Sequence, residues 1–131
     1  MPVVDASVLV EFLGGGEHAA IAGGHLAASR GALWAPHLVD AEVGHALRRT
    51  VAAGEIRPQA ARAALRDLAD LPLRRASHRG LLDRAWALRD NASFYDGLYL
   101  ALAELLDTPL LTLDARLAGV PGTRASVMLL A

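Results

Sequence analysis

A chain of 131 residues, 53% of them hydrophobic, has room for one well-buried domain over residues 1–131 and not for two. Its formal net charge of -1 excludes nucleic-acid binding through a globally basic surface, so any such contact has to be local. The sequence has no cysteine and no lysine, which excludes disulfides, thiol nucleophiles, thiolate zinc sites, Schiff-base chemistry and a P-loop.

In chain order, Val3-Val4 reads as a short strand ending on Asp5, and Ala6 to Leu13 as a helix capped by Asp5 or Ser7. Gly14-Gly15-Gly16 breaks the chain, and Glu17 to Ser29 reads as a helix weakened or kinked by Gly23-Gly24. Leu33-Trp34-Ala35, closed by Pro36, is the second strand. Leu38 to Ala53 is a helix stopped by Gly54, and Pro58 opens the next, to Leu71. Leu73 to Ala76 reads as a third strand and Leu81 to Arg89 as a helix. Ser93 to Leu106 is apolar almost all round at helical spacing, as a helix buried on most faces should be. After the breaker Asp107-Thr108-Pro109, the run Leu110 to Leu113 fits a strand of a buried parallel sheet and stops at Asp114. A helical turn to Ala118 and a last strand, Val127 to Leu130, complete the chain. No run reaches the ~18 residues of a membrane helix, and Asp5 comes too early for a signal peptide. The sequence therefore predicts a cytoplasmic α/β sandwich: a mostly parallel central sheet flanked by helices, with no membrane contact.

Ligands of such sheets collect beyond the carboxyl ends of the strands, where Asp5 and Asp114 are expected. Each acid also has a local explanation: Asp5 and Asp114 as helix caps, Asp96 as a charge at a helix N-terminus, Glu42 on a solvated helix face. Four acids drawn together repel, so either some become protonated or a cation neutralises them. Oxygen-only ligation without His or Cys suits Mg²⁺ or, alternatively, Mn²⁺.

The segments Val3–Val10, Asp40–Leu47, Tyr95–Ala103 and Leu111–Asp114 resemble, in order and spacing, the successive motifs of PIN-domain ribonucleases, and more narrowly the VapC toxins of bacterial toxin-antitoxin pairs. The resemblance implies that Asp5, Glu42, Asp96 and Asp114 form an acidic metal-binding and catalytic pocket. It further implies a Mg²⁺-dependent endoribonuclease acting on RNA, a homodimer, and a cognate VapB-like antitoxin. Where some relatives carry a further acid two residues past Asp114, this chain has Arg116, which puts a second metal in question. Gly97 stands where relatives often carry Ala, a change expected to loosen the helix start.

Ser7 and Thr112 lie beside the acids as possible supports or as local caps. Asp40, two residues from Glu42, falls on another helix face as a cap or surface residue. Arg48, Arg49 and Arg89 are the arginines nearest in sequence to Glu42 and Asp96, and are the candidates to touch RNA phosphate. The histidines lack ligand spacing, so His18 and His25 read as surface residues, and Trp34, Trp86, Tyr95 and Tyr99 read as core or dimer contacts. Two other function classes compete with the nuclease. A phospho-acceptor signalling domain would need a lysine by its acids, and none exists; a PIN-like protein-binding module without nuclease activity stays open.

Overall fold

The structure, a computed structural model, describes residues 1–30 and 32–131. Five strands, β1 (Val3–Val4), β2 (Leu33–Pro36), β3 (Leu73–Ala76), β4 (Leu110–Thr112) and β5 (Val127–Leu129), form one sheet in the order β3-β2-β1-β4-β5. Every pairing is parallel, so the mostly parallel sheet expected from sequence is parallel throughout its described strands. β1 is the central strand, and both its residues are fully buried, which is why Val3-Val4 needs no polar alternation. From β1 the chain steps outward through β2 to β3, then returns to the other side of β1 for β4 and β5. The carboxyl ends of β1 and β4, neighbours at this reversal, border the crevice where open α/β sheets bind ligands.

The helices are α1 (Ala6–Gly14), α2 (Ala19–Ala28), α3 (Leu38–Ala52), α4 (Pro58–Asp70), α5 (Leu82–Ala87) and α6 (Phe94–Leu106). α1 packs on α2, α3 and α4, whereas α5 packs on α6, which itself lies on β1, β2 and β4. In α6, every residue from Gly97 to Ala103 is buried, matching its apolar circumference. Ser93 caps it by accepting a hydrogen bond from the Asp96 N–H at 3.0 Å.

Three expectations need correction. α2 runs unbroken through Gly23-Gly24: a side chain at Gly23 would sit 3.1 Å from the Phe12 ring, so this glycine admits α1 rather than kinking the helix. α5 is shorter than Leu81 to Arg89, because a 3₁₀ turn over His78–Gly80 precedes it and the helix ends at Ala87. Gly97 does not loosen α6. A Cβ there would meet the Ala85 carbonyl oxygen at 3.1 Å, so glycine is what lets α5 approach.

Position 37, before α3, offers no side-chain cap; the His78 ring takes that place, its Nε2 accepting from the Leu38 N–H at 2.9 Å. Asp40 is held by a bidentate pair with Arg75 of β3, Nε–Oδ2 2.7 Å and Nη2–Oδ1 2.8 Å. It is thus a tether between helix and sheet rather than a cap. Together these contacts fix the N-terminal turns of α3, and with them Glu42.

Candidate active site

Asp5 leaves β1 into α1 and is 6% exposed. Its Oδ1 accepts from the Ser7 hydroxyl and, at 3.3 Å, from the Val8 N–H; its Oδ2 accepts from the Thr112 hydroxyl. Both hydroxyls are themselves held by backbone at the end of β4. Leu113 N–H donates to Ser7 Oγ at 3.0 Å, and Asp114 N–H to Thr112 Oγ1 at 2.9 Å. Two strand ends are thereby laced together through one carboxylate, and Asp5 is oriented as well as capping its helix. Ser7 and Thr112, which sequence left between local capping and support, do support it.

Burial pushes the Asp5 carboxyl up to about 6, against the opposing pull of its hydroxyl and N–H donors and with a further push from Asp96. Glu42, on the second turn of α3, is raised mainly by burial and also by Asp96. Asp96, in the first turn of α6, is raised by burial and by the negative charge of Asp114. These raised values chain Asp5, Glu42, Asp96 and Asp114 into one repelling set. Asp114 alone is held below the usual carboxylate range, by the Arg116 guanidinium.

All four acids line one open cleft of about 540 Å³, together with Ser7, Tyr99, Arg49 and Arg116. They share that cleft without closing on one another: among the described residues, no three His, Cys, Asp or Glu side chains are grouped tightly enough for a ready-made cation cage. Two of the acids turn to other partners. Glu42 Oε1 accepts from the Tyr99 hydroxyl at 2.6 Å, and Asp114 pairs with Arg116 at 2.7 Å. The donor chemistry, carboxylate oxygens of which only those of Asp114 meet a cationic side chain, fits a hard divalent ion such as Mg²⁺ or Mn²⁺.

Tyr99 is the residue whose role sequence missed. It is 1% exposed, as its core reading requires, yet its hydroxyl reaches the site to fix Glu42. Tyr95 and Trp86 are each 60% exposed and so are not core residues. Of the three arginines picked for nearness in sequence, Arg49 lines the cleft. Arg48 and Arg89 do not line it; Arg89 lies over the Trp86 ring at 4.8 Å from its centroid. His18, read as a surface residue, also borders the cleft, where its N–H donates to Glu11 at 3.1 Å.

Comparison with known proteins places the chain in a family. The PIN domain profile matches residues 3–122. The chain is 50% identical over 129 residues to Ribonuclease VapC1 of Mycobacterium tuberculosis, covering 97% of this chain and 96% of that one. It is 40% identical to Ribonuclease VapC9 of the same organism over 119 residues, 90% of this chain and 89% of that protein. In three dimensions it is similar to the crystal structure of PAE2754 from Pyrobaculum aerophilum, with a TM-score of 0.67 and 24% identity over 95% of this chain and 81% of that one, a likeness of fold. Fold, cleft and kinship converge: the chain belongs to the PIN-domain family and, within it, to the VapC ribonucleases.

Proposed function

We propose that this protein is the toxin of a VapBC-type pair, a metal-dependent endoribonuclease in which Asp5, Glu42, Asp96 and Asp114 hold Mg²⁺, or Mn²⁺ in its place. The observation that carries this proposal is the meeting of four acids, from the ends of β1 and β4, the second turn of α3 and the first turn of α6, along one cleft. A divalent cation bound there supplies neutralisation of phosphate charge and a more acidic water. The chain's own work is positioning. Ser7 and Thr112 aim Asp5, Tyr99 aims Glu42, and the Ser93 cap sets the turn that carries Asp96. Arg49 and Arg116 bring positive charge to the cleft walls, the local basic contact that a net charge of -1 leaves available for an RNA backbone.

The proposed partners are an RNA substrate, a VapB-like antitoxin that covers the cleft, and a second copy of the chain. The dimer is supported by the exposed apolar side chains of Leu82, Trp86, Phe94 and Tyr95 on α5 and the start of α6. The chain's kinship with the VapC ribonucleases supports action in the cytoplasm; among the described residues no helix is long and apolar enough to cross a membrane. In the test, purified protein freed of antitoxin cuts a structured RNA with Mg²⁺ or Mn²⁺, and EDTA or Asp96→Asn abolishes cutting. Undiminished cutting by Asp96→Asn would remove that residue from the site.

A further inference from the structure

Arg116 is bound to the site in an unusual way. Its backbone N–H donates to Asp114 Oδ1 at 3.0 Å, its Nε to the same oxygen at 3.1 Å, and its Nη2 to Oδ2 at 2.7 Å. Both oxygens of one site carboxylate are therefore covered by a guanidinium. The side chain doing this is 84% exposed, while that of Asp114 is 26% exposed. No packing locks it, and so solvated a pair is held weakly. Its fork matches a phosphate as well as it matches a carboxylate.

Its position is equally particular. Arg116 lines the main cleft and also an adjoining one of about 370 Å³, walled by Ser93, Tyr95 and Asn91; the two share Glu42 and Asp96 as well. A strand of RNA laid from one cleft to the other would pass Arg116 at the junction. Arg49 lines only the main cleft and makes no ion pair among the described residues.

We propose that Arg116 is a displaceable phosphate-positioning residue: in the free protein it occupies Asp114 in competition with the divalent cation, and when cation and substrate enter it passes its guanidinium to an RNA phosphate at the junction of the two clefts. This rests on the metal site proposed above. The exchange makes and breaks only ion pairs and hydrogen bonds, so each charged group leaves one partner for another: Asp114 gains the cation, and Arg116 gains the phosphate.

The test measures Mn²⁺ binding by calorimetry, with the metal alone, and steady-state RNA cleavage, for wild type, Arg116→Gln and Arg116→Lys. Removing the competing ion pair tightens Mn²⁺ binding by Arg116→Gln about two- to fivefold, as loss of a weak, solvated competitor would. The same variant raises KM for RNA about tenfold with a smaller change in kcat, because a charge-assisted phosphate contact is lost. Arg116→Lys recovers part of the KM as a point charge without the fork. Unchanged or weaker Mn²⁺ binding by Arg116→Gln, or an unchanged KM, overturns the proposal while leaving the metal site standing. Absence of Mn²⁺ binding in the wild type overturns the metal site and this exchange with it.

Discussion

One carboxylate on the back of α6 and the four that line the cleft meet opposite fates in this molecule. On α6, Glu104 points away from the cleft, and its side chain is 3% exposed. It is satisfied on every side: Arg84 Nε at 2.6 Å, Arg84 Nη2 at 3.2 Å, the Thr123 hydroxyl at 2.8 Å and the Arg124 N–H at 2.8 Å. Burial alone would raise its carboxyl, but these donors outweigh that and hold it at about 2. Asp96, two turns earlier on the same helix, has no cation of its own and is raised. The difference separates an acid that holds the fold together from acids that the fold holds apart. Glu104 fastens α5 and the segment from Gly122 to Arg124 to α6; the cleft acids push one another's carboxyl values up.

The largest expected effect breaks the symmetry between these two groups directly. Asp96→Asn should abolish cleavage, by about a thousandfold or more for a residue central to metal-assisted chemistry, and yet leave the thermal midpoint of the metal-free protein unchanged or higher, since one repelling charge is gone. Glu104→Gln should do the reverse. It removes the charge that a part-exposed Arg84 shares with the buried Glu104 carboxylate and costs about 2 kcal/mol, on the order of an 8 °C drop in Tm for a domain of this size, while the remaining folded fraction cuts RNA normally. Calorimetric melting and a cleavage assay on both variants check the pair, and a Glu104→Gln protein that melts like the wild type would contradict the clamp.

Acid and base should then pull the two regions in opposite directions. A carboxyl whose value rises on folding binds its proton more tightly in the native chain, so Asp5 makes the metal-free protein less stable as pH climbs from about 4 to about 6, by about 3 kcal/mol in all. Glu104, lowered on folding, contributes its stability above the ordinary carboxyl value and loses it as pH falls toward 2. Denaturant melts across this range should show stability decreasing between pH 4 and 6.5 without metal. Saturating Mg²⁺ at pH 7 should restore about 2.7 kcal/mol at a hundredfold excess over Kd, and not in Asp96→Asn.

Much of this was visible in the chain before its fold. The strand-then-acid pattern at Asp5 and Asp114 and the all-apolar circumference of α6 each depend on local order, and local order is what a sequence displays. Glu42 took its place from family resemblance, because a lone helical Glu has no local signal that separates it from a solvated one. What stayed hidden depends on distant contact. Tyr99 meets Glu42 across 57 positions, so a tyrosine in an apolar helix reads as core, which it is, while the bond its hydroxyl makes stays unseen. Asp40 finds Arg75 across 35 positions, and Arg116 covers Asp114 by a side-chain turn no spacing reveals. Gly97 reads as a weak spot until α5 is seen against it.

The smaller effects sharpen these hidden contacts. Tyr99→Phe removes one hydrogen bond to a charged acceptor and should cost about 1.5 kcal/mol or somewhat more, with a modest fall in kcat as Glu42 loses its anchor. Gly97→Ala should destabilise by about 1 kcal/mol, the cost of forcing α5 outward outweighing the better helix propensity of Ala. A stabilised Gly97→Ala protein would contradict the close approach at Ala85.

The most direct test of the acidic site is an anomalous difference map from a crystal of this protein soaked in Mn²⁺. A peak in the main cleft within bonding distance of Asp5 and Asp96, with Glu42 and Asp114 drawn toward it, is the expected result. A map with no peak among these four carboxylates, at a Mn²⁺ concentration that supports RNA cleavage, would contradict it.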